Sequence, residues 1–276
     1  MILGIDLGGT NIRIGQIEDG RIAKKITAPS PSDMKLDESI NYLKATIKEM
    51  LTSDTTGIGI GVPSVLDSEK GIVYNVANIP SWEEVHLKEI LETEFNIPIF
   101  INNDSNCFTI GEKRFGEGKP FRNMVGITLG TGVGAGVVID NNLYNGSNTG
   151  SGEIGCIRYL ESDYEHYCAS SFFTTYYGMT GLEAAQKAEA GDTNALKIWQ
   201  DYGKHLGQLI QTTLFAYDPD AIIFGGGITA AYPLFEESMR ENLKSFPYPK
   251  SLINLQIRIS SNPDIAILGA TALVKT

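Results

Sequence analysis

The sequence is poor in the residues that knit small secreted domains or metal knots together. Its 276 residues include three cysteines, Cys107, Cys156 and Cys168, and three histidines. Thiols so spaced form no recognisable disulfide framework. Long apolar runs are missing too: no stretch approaches the roughly 20 residues of a membrane-spanning helix, so no membrane partner is expected. Basic charge is scarce, with 22 Lys and Arg against 33 Asp and Glu and a formal net charge of −11 at pH 7. That balance argues against nucleic-acid binding, because phosphate contacts call for a basic face. The N-terminus lacks the basic segment of a signal peptide and places Asp6 inside its first apolar stretch. No low-complexity linker interrupts the chain. These absences leave a soluble chain, expected in the cytoplasm and long enough for two domains of ordinary size.

Glycine, by contrast, is plentiful, and it recurs in one arrangement. The chain opens with Gly4-Ile5-Asp6-Leu7-Gly8-Gly9-Thr10 and continues through Asn11-Ile12-Arg13-Ile14-Gly15. About 120 residues later comes Gly126-Ile127-Thr128-Leu129-Gly130-Thr131-Gly132, followed by Val133-Gly134-Ala135-Gly136-Val137-Val138-Ile139. In each, a short apolar strand meets a glycine- and threonine-containing tip, and a second β-branched strand follows. Glycine at such a tip is expected to reach positive φ and to let backbone N–H groups approach an anion. One copy alone reads as an ordinary turn. Two copies suggest a duplicated core with one phosphate loop per half, the plan of the two-lobed actin-like ATPase and sugar-kinase (ribonuclease H-like) fold, with nucleotide in the interlobe cleft.

The remaining pattern is that of an α/β protein. Leu36, Ile40, Leu43, Ile47 and Met50 share one helical face. Thr56 to Val62 reads as a buried strand, Trp82 to Phe95 as a helix, and Ile97 to Ile101 as a strand leading into a helix after Asp104. A long helix is expected from about Ala195 to Ala216. A strand from Ala221 to Phe224 follows, and then Gly225-Gly226-Gly227. Ile253, Leu255, Ile257 and Ile259 alternate with polar residues, as in a half-buried strand. Gly116 to Arg122 interrupts both periodicities and marks the expected lobe boundary. The first lobe spans residues 1–118, completed by a C-terminal helix over 264–276, and the second spans 119–263.

Asn102-Asn103-Asp104 ends a strand and opens a helix, at the edge where open α/β sheets place ligands. A carboxylate there can accept a substrate hydroxyl's hydrogen bond and take its proton. On local sequence alone, a helix cap is the better reading of Asp104. Its company with the two glycine hairpins favours the base.

Taken together, these segments resemble the repressor–ORF–kinase (ROK) family of sugar kinases nearly end to end. Ile5 to Thr10 is similar to the first phosphate motif of that family, and Leu129 to Gly134 to its second. Gly59-Ile60-Gly61-Val62-Pro63-Ser64 resembles the sugar-facing turn, with Ser64 in place of glycine, and Asn78-Ile79-Pro80-Ser81-Trp82 resembles its Asn-Leu-Pro-x-Trp segment. Asn103 to Asn106 with Gly111-Glu112 matches the segment of the catalytic aspartate, Gly152-Glu153-Ile154-Gly155 the sugar-binding glutamate, and Gly225 to Ile228 the adenosine-side loop. The resemblance implies transfer of the γ-phosphate of ATP to the 6-hydroxyl of a glucose-like hexose, with N-acetylmannosamine or N-acetylglucosamine as alternatives. It implies Asp104 as general base, with Ser64, Asn78, Asn103, Glu153, Cys156 and Thr175 around the sugar. Asp6, Gly8, Gly9, Thr10, Asn11, Gly130, Thr131, Gly132, Gly226 and Gly227 would bind nucleotide, and Asp6 would hold Mg2+ through water. A homodimer is implied as well. The repressors of the family carry a DNA-binding domain ahead of the kinase-like region, and a strand starting at Ile2 leaves no room for one. A catalytically weak sugar sensor is the alternative of another class.

One segment departs from the family. Cys156 stands where a zinc-binding histidine is usual, and Phe173 where a cysteine is usual. Structural zinc takes four protein ligands, so Cys156, His166 and Cys168 fall short and no structural zinc is expected. Phe172 and Phe173 read instead as packing. The second sugar glutamate of the family falls on Thr175, which implies a pocket relaxed around C1 and C2.

Overall fold

The structure, a computed structural model, describes residues 1–76 and 78–274. The chain divides into two compact units. One comprises Met1–Pro120, Gly136–Ser151 and Ser261–Thr276; the other comprises Phe121–Ala135 and Gly152–Ser260.

The first unit begins with β1 (Ile2–Leu7), β2 (Asn11–Glu18), β3 (Arg21–Pro29), α1 (Leu36–Lys48) and β4 (Gly57–Val62). A small antiparallel sheet follows, made of β5 (Leu66–Asp67), β6 (Ile72–Tyr74) and β7 (Glu84–Val85). Then come α2 (Leu87–Phe95), β8 (Ile99–Asn103) and α3 (Asp104–Phe115). The main sheet has the order β3-β2-β1-β4-β8. Strands β1, β2 and β3 are antiparallel neighbours, whereas β1, β4 and β8 run parallel. Parallel strands covered on both faces read as continuous apolar runs rather than alternations. Leu3, Ile5, Leu7, Ile58, Ile60 and Val62 are accordingly all fully buried.

Two expectations in this unit need correction. The helix expected over Trp82 to Phe95 starts only at Leu87; Glu84 and Val85 pair with Tyr74 and Val73 in the small sheet. Trp82 is buried for a different reason, its indole N–H donating to Ser39 Oγ on α1 at 2.7 Å. The expected lobe division also assigned Gly136–Ser151 to the second lobe, yet the segment packs in the first unit. A Cβ at Gly136 would meet Thr109 Oγ1 at 2.5 Å, and Asn145 Oδ1 accepts from Asn102 Nδ2 at 3.1 Å.

In the second unit the chain forms β9 (Met124–Leu129) and starts β10 (Val133–Ile139), which runs on into the first unit and pairs with β11 (Asn142–Leu143). Next come β12 (Arg158–Tyr159), β13 (Ser162–Asp163) and four helices: α4 (Tyr164–Cys168), α5 (Ser171–Tyr177), α6 (Gly181–Glu189) and α7 (Thr193–Tyr217). Then β14 (Ala221–Gly225), α8 (Tyr232–Leu243), α9 (Pro249–Asn254) and β15 (Gln256–Ile259) complete the unit. Strand β14 lies between β9 and β15, parallel to both. Ile253 does not join the strand expected there; it sits on α9, 78% exposed. The chain returns to the first unit as α10 (Ile265–Thr271), against α3 and the main sheet. A Cβ at Gly59 would stand 1.8 Å from Ala270 O, so only glycine admits this helix. Lys275 and Thr276, the end of the helix expected over 264–276, lie outside the described residues.

Candidate active site

In the first unit the parallel strands bring their carboxyl ends to one edge. Asp6 pairs with Gly61 across β1 and β4, and Gly61 with Asn102 across β4 and β8. Asp6, Gly8, Gly9, Thr10 and Asn11, the turn at Ser64, and Asn103 and Asp104 therefore gather at the sheet edge where such folds bind ligands. Gly8 N–H donates to Asn11 O at 2.9 Å and closes the tip. Gly9 stands under Asn78, whose Nδ2 would be 2.6 Å from a Cβ. Neither Gly8 nor Gly9 has the positive φ expected. Glycine is needed for room, not for a left-handed turn.

Asp6 is 7% exposed, and its Oδ2 accepts from Arg13 Nε at 2.9 Å and from a second guanidinium nitrogen. No hydrogen bond to its Oδ1 is found among the described residues. Asp6 and Asp104 also flank the buried Cys107 thiol, which burial, and then their two charges, push well above its ordinary value. An oxygen-only pair of carboxylates suits a hard cation such as Mg2+. Arg13 was not singled out from the sequence, although an Asp and an Arg equidistant from a glycine tip must face each other in a hairpin, as their register shows.

Two adjacent side chains meet the first amides of α3. Asn103 Oδ1 accepts from Ser105 N at 2.9 Å and from Asn106 N at 3.2 Å, so Asn103 caps α3. Asp104 is the first helical residue, half-buried, its Oδ1 also accepting from Ser105 N at 2.7 Å. Asn103 Nδ2 donates to Ser64 O at 3.3 Å. Ser64 Oγ donates to backbone carbonyls, Val65 O at 2.8 Å and Tyr74 O at the end of β6, and so offers a ligand only acceptor character. Asn102, 3% exposed, has a role its sequence position did not assign: its Oδ1 accepts the Asn103 N–H at 2.8 Å and fixes the strand-to-helix junction.

In the second unit, Gly130, Thr131 and Gly132 form the other tip, with Gly130 N–H donating to Gly132 O at 3.0 Å. Here too no positive φ occurs. A Cβ on Gly132 would lie 2.6 Å from Glu165 Oε2. Gly226 does take a φ of +88° and lies against Leu129 O, so the Gly226-Gly227 turn sits beside this hairpin. Glu153 and Cys156 flank one turn of 3-10 helix, with Cys156 Sγ 4.0 Å from Glu153 Oε2. Partial burial, and then the charge of Glu165, raise the Glu153 carboxyl above its ordinary value. Thr175 stands exposed on α5, with no hydrogen bond to Glu153 or Cys156 among the described residues.

The segment that departs from the family is an aromatic cluster. Phe173 is fully buried, its ring 4.6 Å from Trp199 and 5.4 Å from Tyr202; Phe172 lies 5.7 Å from Tyr202. Cys168 is buried among them, its thiol pushed up by burial, whereas Cys156 is exposed. Among the described residues no three His, Cys, Asp or Glu side chains are grouped to hold a metal ion.

The chain is similar to known proteins over most of its length. A glucokinase from Thermotoga maritima is 29% identical over 307 aligned residues, taking in 99% of this chain and 97% of the relative. A xylose repressor from Bacillus spizizenii is 30% identical over 234 residues, 79% of this chain and 60% of the repressor. Among solved structures, a ROK family glucokinase from Streptomyces griseus, in complex with glucose and AMPPNP, matches with a TM-score of 0.85 at 24% identity. That match covers 99% of this chain and 98% of the other. The ROK family model itself spans residues 2–276, and the chain belongs to the ROK family.

Proposed function

We propose that the protein is an ATP-dependent sugar kinase that transfers the γ-phosphoryl group of ATP to the 6-hydroxyl of a glucose-like hexose. The observation that carries this reading is the Asn103–Asp104 pair. Asn103 is the N-cap of α3, and Asp104, the first helical residue, sets a half-buried carboxylate at the ligand-binding edge of a parallel sheet. Phosphoryl transfer is loose, so the protein mainly positions reactants and neutralises charge. Asp104 accepts the hydrogen bond of the reacting hydroxyl and takes its proton as the oxygen attacks phosphorus. Asn103 Nδ2 and the Glu153 carboxylate orient the ring through its other hydroxyls, with Ser64, Asn78 and Cys156 around them. Thr10, Asn11 and Thr131 offer hydroxyl and amide donors to the phosphates. Mg2+, held at Asp6 through water, would supply charge neutralisation on the phosphates. A homodimeric cytoplasmic enzyme belongs to the same reading and rests on the family resemblance.

A coupled ADP-release assay across glucose, mannose, fructose, N-acetylglucosamine and N-acetylmannosamine tests the proposal. One sugar should turn over well, and Asp104→Asn should cut its kcat by about 10²–10⁴-fold while leaving its binding in place. A variant that keeps most of its kcat removes Asp104 from the chemistry. The repressor relatives favour a second reading, a sugar-sensing regulator. Tight binding of a sugar with no ATP turnover on any of the five would select it.

A further inference from the structure

We propose that Glu165 is a positioning residue for the tip of the second glycine hairpin and, through it, sets the nucleotide affinity of the protein. The nucleotide clause rests on the kinase reading above; the positioning clause does not. Glu165 lies in the first turn of α4, which Asp163 caps by accepting His166 N–H at 2.9 Å. From there its Oε2 reaches the hairpin and accepts the Val133 N–H at 3.0 Å. The absence of a side chain at Gly132 makes this reach possible, since a Cβ there would lie 2.6 Å from the same oxygen.

Two further contacts pin the segment from Gly130 to Val133. Ser170 N–H, just past α4, donates to Gly130 O at 2.8 Å. Gly155 backs onto Val133 O, where a Cβ would come within 2.4 Å. Beyond the pairing of β9 with β10, the hairpin bonds to itself through Gly130 N–H to Gly132 O at 3.0 Å and Thr128 Oγ1 to Gly134 O at 3.3 Å. The tip is therefore held from outside as well as by its own strands, and Glu165 supplies the charged acceptor among these bonds. Bonds to an ionised acceptor are about twice as strong as neutral ones. Thr131, exposed between the pinned residues, is left to present its hydroxyl and amide. Displacing aligned donors by about 1 Å can cost on the order of 100-fold in a positioned reaction.

The test compares wild type, Glu165→Ala and Glu165→Gln, with two readouts. Glu165 is exposed, so neither change should prevent folding. Hydrogen exchange at the Val133 amide reports the brace alone: it should quicken in Glu165→Ala and return toward wild type in Glu165→Gln, which keeps an acceptor oxygen. Calorimetry with AMPPNP and Mg2+ reports the consequence. Its Kd should rise about tenfold in Glu165→Ala, with rescue to within about threefold in Glu165→Gln. Unchanged exchange in Glu165→Ala overturns the positioning role. Quickened exchange with AMPPNP bound as tightly or more tightly overturns the link to nucleotide, and shows a carboxylate that merely repels phosphate. Wild-type protein that binds no AMPPNP, with the exchange result as expected, overturns the kinase reading and leaves the brace standing.

Discussion

The two glycine hairpins have nearly the same sequence at their tips and opposite means of support. Gly9 is overlaid by the neutral amide of Asn78, whereas Gly132 is overlaid by the carboxylate of Glu165. Across the first hairpin Asp6 and Arg13 form an ion pair in register; the strands of the second, Met124–Leu129 and Val133–Ile139, carry no charged residue at all. The repeated glycines thus answer one steric demand, a tip with no Cβ, against unrelated neighbours. What differs is charge: the first hairpin carries a carboxylate and a cation of its own, and the second carries only neutral groups and borrows its charge from α4.

The sharpest way to break this comparison is to fill each tip. Gly9→Val and Gly132→Val should each cost about 1–3 kcal/mol of nucleotide binding, roughly 10- to 100-fold in affinity, with sugar binding less affected. Adding Glu165→Ala should relieve Gly132→Val only as far as the loss of Glu165→Ala alone and should add that loss to Gly9→Val, while Asn78→Gly should relieve Gly9→Val and not Gly132→Val. Calorimetry on the double variants decides it, and cross-relief would show that the tips are not independently supported. Next in size is Arg13→Ala, which leaves the buried Asp6 without its cation. A loss of about 1–3 kcal/mol in urea unfolding is expected, and an unchanged midpoint would mean that the pair contributes nothing beyond water.

A smaller effect concerns pH. The Glu153 carboxyl is raised in the folded protein by partial burial and by Glu165. The native state then holds that proton more tightly than the unfolded chain, so this group's contribution to stability falls as pH rises through the window just above the ordinary carboxylate value. Glu153→Gln should flatten the decline, and Glu165→Ala should shift it to lower pH; melting curves across that window would detect either. The smallest effect is expected from zinc. Dialysis against a zinc-selective chelator should leave Tm unchanged, because Phe173 fills its site by packing on Trp199 and Tyr202. A fall in Tm would show that Cys156, His166 and Cys168 recruit a metal.

Legibility in the sequence followed the range of the forces involved. Both hairpins, the strand-to-helix junction at Asp104 and the long helix α7 are set by local periodicity and turn chemistry, and they could be read directly. Trp82 to His86 could not: Val85, Leu87, Ile90 and Leu91 share helical spacing, but β-pairing with β6 and the Trp82–Ser39 bond take the first part of the segment elsewhere. Ile253 kept strand-like alternation with its neighbours, yet Pro249 starts a short helix there. At the site, side chains on the motifs were visible, whereas Glu165 and Asn78 act on glycines 33 and 69 residues away. Nothing in local sequence announces such contacts.

Asn103 has a consequence for what a hydroxyl looks like to this site. Its oxygen is spent on the amides of Ser105 and Asn106, so it faces a ligand as a donor only. Asp104, ionised, is an acceptor only. Side by side they form a vector that an O–H group satisfies in one direction, lone pair toward Asn103 and proton toward Asp104. A deoxyfluoro sugar, equal in size to the natural ring, fills half of that vector and leaves the carboxylate facing the electronegative fluorine. Size-matched inhibitors that replace the reacting hydroxyl by fluorine should therefore bind poorly, and analogues that keep both a lone pair and a proton there should bind well.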